Sequence, residues 1–145
     1  NVDVKAEPAL LPLLDLIERT NAWERVCVGS FSEARVARAQ RLAGPRLATS
    51  YGTRGVLGLR LRSWGLPAVL RRSAVAAQVP VSHSGIPVVD PSFVRAAHAR
   101  GLQVHVWTVN DPAQMHRLLD LGVDGIMTDH IDTLRKVMED RGVWA

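Results

Sequence analysis

Residues 101–129 read GLQVHVWTVNDPAQMHRLLDLGVDGIMTD. A strand is expected from Gln103 to Val109, then a helix opened by Asp111-Pro112 and closed at Gly122, then a short strand from Gly125 to Thr128. Asp111 offers a carboxylate to the first unpaired helical amides, and Gln114 stands at the third helical position. Pro112 takes a place where a missing N–H costs nothing. Met115, Leu118 and Leu119 recur at helical spacing and mark the buried face. Strand, helix and strand over so short a length predict parallel strands joined by a crossover.

The unit before it follows the same plan. Asp90-Pro91 precedes Gly101 by eleven positions, as Asp111-Pro112 precedes Gly122, and the two starts lie 21 residues apart. Strands are expected at residues 1–5, 25–30, 47–50, 74–81, 103–109 and 125–128, separated by helical patterns. LLPLLDLIERT is helical, with Pro8 and Pro12 leaving its start open. Ser32 is the expected cap of a helix whose stripe is Val36, Ala39 and Leu42. Ser82 to Pro87, with His83, reads as a loop. A last helix starts at Asp132 or Thr133, turns Leu134, Val137 and Met138 inward and stops at Gly142.

Six parallel strands suit a doubly wound sheet or part of an eight-stranded barrel. No glycine-rich phosphate fingerprint follows a strand, and polar residues recur at many strand ends: Asp3, Lys5, Ser30, Ser50, Trp107, Asn110 and Asp129. A doubly wound sheet gathers its site at one switch point, whereas a barrel builds it from many strand ends. The barrel is favoured. In NVDVK, Val2 and Val4 then pack outward on helices, and Asp3 and Lys5 look into the lumen at its mouth, at the same rim as Trp107.

The 145 residues suffice for one core, with 47% hydrophobic and 22% charged residues, a soluble globular balance. No apolar run reaches the ~20 residues of a membrane helix. The lone Cys27 excludes an internal disulfide and lacks partners for a zinc site, so it reads as a buried inert thiol. The net charge of +4 suits an anionic small molecule or membrane surface and falls short of a nucleic-acid signal. From Thr53 to Ser73, arginines alternate with Leu, Val and Trp64. This is either a helix with a solvated basic face, broken at Gly65 and Pro67, or an interfacial element touching lipid. A cytoplasmic or membrane-peripheral location is expected. The chain does not open on methionine, so targeting is not judged.

WTVN, followed by a helix and GVDGIMTD, resembles the C-terminal signature of the glycerophosphodiester phosphodiesterases, whose fold is a TIM barrel. NVDVK is similar to that family's third strand, GSF to its fourth, ATS to its fifth, QVPV to its sixth, WTVN to its seventh and GIMTD to its eighth. The resemblance implies an α/β chain holding about six units of a (β/α)8 barrel. The first two units, with their His-Arg-Gly and E-x-D motifs, are expected upstream, and residues 1–145 form the C-terminal portion of one barrel domain.

It also implies metal-dependent hydrolysis of glycerophosphodiesters to glycerol 3-phosphate and an alcohol, with Mg²⁺ or Ca²⁺ held by carboxylates. Asp3 falls where the family usually has glutamate and is carried over as a metal ligand. Its arm is shorter by roughly one C–C bond, ~1.5 Å. Lys5 matches the family's lysine, a point charge for the substrate phosphate or a developing oxyanion. Trp107 takes the family's aromatic position and walls the glycerol or leaving-group pocket. The bland alternatives are a lumen salt bridge between Asp3 and Lys5, and a packing role for Trp107.

The histidines supply no obvious acid–base pair. His98 and His116 lie on helices, His105 reads as a hydrogen-bonded lumen residue, and His83 and His130 follow strands in loops. Gln78 reads as a satisfied buried amide. The catalytic histidines and two metal carboxylates are therefore expected upstream, and the chain alone is expected to be inactive. Two other classes stay open: a phospholipase D-type barrel enzyme, and a non-catalytic barrel that binds anionic head groups.

Overall fold

The computed structural model describes residues 1–70 and 74–144. The chain divides into two compact units, Asn1–Ala77 and Gln78–Ala145. Each expected strand is present, and each is shorter than its pattern.

In the first unit, β1 (Val2–Asp3) leads through a 3-10 turn, Glu7–Ala9, into α1 (Leu10–Arg19). Pro8 sits in that turn, and Pro12 falls in the first turn of α1, where amides have no intrahelical acceptor. That fixes the start the sequence left open. A second 3-10 turn, Trp23–Arg25, precedes β2 (Cys27–Gly29), then α2 (Glu33–Ala43), β3 (Ala48–Thr49) and α3 (Thr53–Ser63). The sheet order is β1-β2-β3, all parallel, with Val2 opposite Val28 and Cys27 opposite Ala48. Leu10, Leu14 and Ile17 of α1 pack with Val4, Val28, Ala39, Ala43 and Leu47 as one core. The Arg35 N–H donates to Ser32 Oγ at 3.3 Å, the expected cap. The stripe on α2 closes on Ala43 instead of Leu42. Leu42 is 53% exposed, because it stands one residue, about 100°, around the helix from the buried face.

The division between units falls within β4 (Ala76–Pro80). The second unit continues with β5 (Ser82–His83) and β6 (Ile86–Pro87), an antiparallel hairpin. This corrects the loop expected there. Ser84 and Gly85 adopt φ of 50° and 78°, the positive pair that a tight two-residue hairpin turn requires. Then come α4 (Pro91–His98), β7 (Gln103–Trp107), α5 (Pro112–Asp120), β8 (Gly125–Ile126) and α6 (Ile131–Asp140). The sheet order is β4-β7-β8, and β7 runs parallel to β8 with His105 opposite Gly125.

The 21-residue repeat is structural. Asp90 accepts from the Phe93 N–H and Asp111 from the Gln114 N–H, both at 2.8 Å. Gly101 and Gly122 follow the two helices with φ of 70° and 86°. Met115 and Leu118 are buried on α5 and Leu119 is half-buried. On α6, which starts at Ile131, Val137 is buried while Leu134 and Met138 are half-buried.

Asp124 ties this unit together just before β8. Its Oδ2 accepts from the Val104 N–H at 2.7 Å and lies 2.8 Å from His98 Nε2. Burial alone would raise the carboxyl, but the Val104 and His98 hydrogen bonds outweigh it and hold the group below its ordinary value. A depressed folded pKa adds stability that is present above the unfolded pKa and lost as pH falls through the folded one. Asp124→Asn is therefore expected to destabilise at neutral pH and to converge on the parent below about pH 4. Urea midpoints measured across that range check this, and a gap that widens on acidification would be the wrong sign.

Candidate active site

Parallel strands bring their carboxyl ends to one edge of a sheet, where ligands of α/β folds bind. In the first unit that edge carries Asp3 at the end of β1 and Lys5 just beyond it, Ser30 after β2 and Ser50 after β3. The alternation in NVDVK holds. Val4 is buried at 3% exposure, while Asp3 and Lys5 are exposed. Neither makes a hydrogen bond or ion pair with a described residue, so the two do not form the alternative salt bridge.

The peptide between them is fixed. The Val4 N–H donates to Gly29 O at 2.9 Å. Its carbonyl accepts from Ser30 Oγ and from Arg35 Nη1, each at 2.8 Å. Arg35 also donates to Ser30 Oγ at 2.8 Å and through Nε to Glu7 Oε2 at 3.2 Å. Arg38 binds the other oxygen of Glu7. The hydrogen bond from Arg38, with that from Arg35, holds the Glu7 carboxyl below its ordinary value against a smaller opposing effect of burial. Two exposed polar side chains thus project from a backbone clamped at the intervening residue. The sequence reading named Ser30 only as a strand end and missed Glu7 and Arg35. Their contacts span 26 to 31 positions, and no local spacing signals them.

In the second unit, Trp107 ends β7, half-buried, and its peptide bond to Thr108 is cis. Three residues on, the Asn110 carboxamide joins two loops. Its Oδ1 accepts from the Asp129 N–H at 3.0 Å and from Thr128 Oγ1 at 2.9 Å, and its Nδ2 donates to Asp129 Oδ2 at 3.3 Å. The WTVN and MTD segments are thereby fastened to each other.

His105 is half-buried and hydrogen-bonded, as expected. Its Nδ1 lies 3.4 Å from Gln78 Nε2 and its Nε2 lies 3.1 Å from Gln103 Oε1. Burial pushes the pKa of the imidazole down, with Asp124 pulling the other way. A Cβ at position 125 would come within 2.9 Å of this ring, so Gly125 is needed for close strand approach. Gln78 is satisfied through that same ring. His98 pairs with Asp124, His116 faces Arg141, His83 lies in the hairpin and His130 stands at the start of α6. Cys27 is only partly buried, and burial raises its thiol.

Among the described residues, no group of three or more His, Cys, Asp or Glu side chains could hold a metal ion. Asp3, open and oxygen-bearing, suits a hard divalent ion as a single ligand. Such ions take six or more oxygens, so further ligands are required. A cleft lined by Asn21, Trp23, Glu24, Arg25 and Arg46 lies where β2 and β3 begin, the edge away from Asp3. Arg46 stacks there on Trp23 at 4.0 Å and pairs with Glu18 at 2.7 Å.

Residues 1–133 match the model of the glycerophosphoryl diester phosphodiesterase family. A Mycobacterium tuberculosis H37Rv relative named "Probable glycerophosphodiester phosphodiesterase 2" is 47% identical over 148 residues, covering 99% of this chain and 56% of the relative. A Silicibacter pomeroyi DSS-3 structure assigned to glycerophosphoryl diester phosphodiesterase superposes with a TM-score of 0.75 at 25% identity, over 99% of this chain and 51% of that one. A Parabacteroides distasonis glycerophosphodiester phosphodiesterase structure superposes with a TM-score of 0.72 at 22% identity, over 97% and 57% of the two chains, and speaks for the fold alone. The chain spans about half the length of the relatives it matches.

Proposed function

From the membership of this chain in the glycerophosphoryl diester phosphodiesterase family, we propose that it supplies part of the site of an enzyme that hydrolyses glycerophosphodiesters. The products are glycerol 3-phosphate and an alcohol. In this reading the parallel units belong to a closed (β/α)8 barrel, with the strand carboxyl ends at its mouth.

The observation that carries the reading, beside the family match, is the exposed and unpaired state of Asp3 and Lys5 around the clamped Val4. Unpaired, both charges are available to a ligand while the backbone between them is held in place. Asp3 is proposed as one ligand of a divalent ion, Mg²⁺ or Ca²⁺. When bound, such an ion neutralises charge on the phosphoryl oxygens. Lys5 is proposed to bind the substrate phosphate. Its ammonium faces a group that gains negative charge as water adds to phosphorus and the bond to the alcohol oxygen breaks. Trp107 is proposed to wall the glycerol or leaving group with its ring.

A calorimetric titration of Mg²⁺ and Ca²⁺ into the protein as the cell makes it tests the assignment. Asp3→Ala is expected to weaken metal affinity by about tenfold or more, since ligand charge count sets affinity for hard ions. Unchanged affinity would remove Asp3 from the ligands.

A further inference from the structure

We propose that α3 and the turn after it form a surface that docks on an anionic phospholipid bilayer. Arg54, Leu57, Leu61 and Trp64 follow one another at i, i+3, i+7 and i+10, one side of the helix. Leu59 stands on the opposite side and is buried, and Gly58, at the edge of the stripe, is buried too. Leu57 is 58% exposed, Trp64 51% and Leu66 48%, and Val69 is fully exposed. Leu70 closes on Gly58, where a Cβ would stand 2.7 Å from its methyl, and so folds the turn back on the helix. The Trp64 ring is held rather than loose. The Arg60 guanidinium lies 4.5 Å above it and donates to Ser63 Oγ at 3.2 Å. A fixed tryptophan with a cation at its face suits a boundary that is apolar on one side and charged on the other.

Charge names the occupant. Between Glu33 and Asp90 the sequence has no aspartate or glutamate and nine arginines. The whole chain carries +4, so the residues outside that stretch carry a net −5. Charge is thus segregated along the chain, not merely basic. Within the stretch, Arg35 and Arg38 are tied to Glu7, and Arg46 to Glu18. Arg54 and Arg62 of α3 are exposed and have no hydrogen-bond or ion-pair partner among the described residues. Glu33 reaches the start of this helix from α2, where it accepts the Gly55 N–H at 2.9 Å. Basic side chains around exposed Leu, Val and Trp match an anionic headgroup layer above acyl chains. Nucleic acid would use the arginines but has no partner for the aliphatic side chains. Arg71, Arg72 and Ser73, the end of the stretch expected to touch lipid, lie outside the described residues. No helix among the described residues is long and apolar enough to cross a membrane.

The test is sedimentation of the chain with vesicles of phosphatidylcholine alone and of phosphatidylcholine mixed with phosphatidylglycerol. Partitioning is expected to be at least about tenfold stronger on the mixed vesicles and to weaken with salt. Arg54→Glu with Arg62→Glu is expected to lower it by about tenfold or more. Trp64→Phe is expected to abolish the blue shift of tryptophan fluorescence on binding. These side chains are exposed and outside the proposed catalytic set, so circular dichroism should not change. Equal partitioning on the two vesicles, or full binding by the double variant, would overturn the proposal. So would stronger binding to a DNA duplex than to the mixed vesicles at the same salt.

Discussion

Lys5→Met is expected to lower kcat/KM for a glycerophosphodiester by about 10²–10³-fold in the protein as the cell makes it, the cost of losing one charge-stabilising donor at a phosphoryl or acyl centre. Most of the loss should appear in kcat. The phosphoryl oxygens gain charge in the transition state, so an ammonium there helps it more than it helps the bound substrate. The fold should not suffer, because Lys5 is exposed and unpaired and the neighbouring Val4 holds the backbone through Ser30 and Arg35. Steady-state kinetics beside a thermal melt separate the two effects. An unchanged melt with kcat/KM within about threefold of the parent would take Lys5 out of the chemistry.

The largest expected loss of stability lies in the other unit. Phe93 is 0% exposed and follows the Asp90-Pro91 cap that starts α4. Its N–H donates to Asp90 while its ring fills the core beside Val94 and Ala97. Phe93→Ala removes a ring from a close-packed interior and is expected to cost about 3–5 kcal/mol. Against the total of about 5–15 kcal/mol typical of a domain, that is a large share. The melting temperature should fall by roughly 10 °C. Leu42→Ala is the matched control. Leu42 is exposed, so its substitution should stay within about 0.5 kcal/mol. A Phe93 variant as stable as the Leu42 variant would mean that α4 is not packed as described.

What could be read from sequence was whatever depends on neighbours along the chain. Ser32, Asp90 and Asp111 cap helices, Gly101 and Gly122 end them, and valines alternate with polar residues in NVDVK. Each rests on hydrogen bonds or periodicities spanning a few residues, so the six strand positions and their crossovers were legible. The hairpin at Ser82–His83 and Ile86–Pro87 was missed because Ser-Gly is a weaker turn signal than Asn-Gly, and two-residue strands carry almost no pattern. Leu42 was misplaced because a stripe three residues long leaves its last position open by one step. The clamp of Glu7, Ser30 and Arg35 was invisible because it joins residues some 30 positions apart. Asp3 and Lys5 are singled out by resemblance, and spacing alone leaves them as an ordinary charged pair.

The Asn110 side chain is one amide shared by two loops, bonded to the Thr128 hydroxyl and to both the amide and the carboxylate of Asp129. All three bonds are exposed, so parting the loops breaks them together and hands their groups to water. The segment behind Trp107 and the one entering α6 are therefore expected to shift as one body.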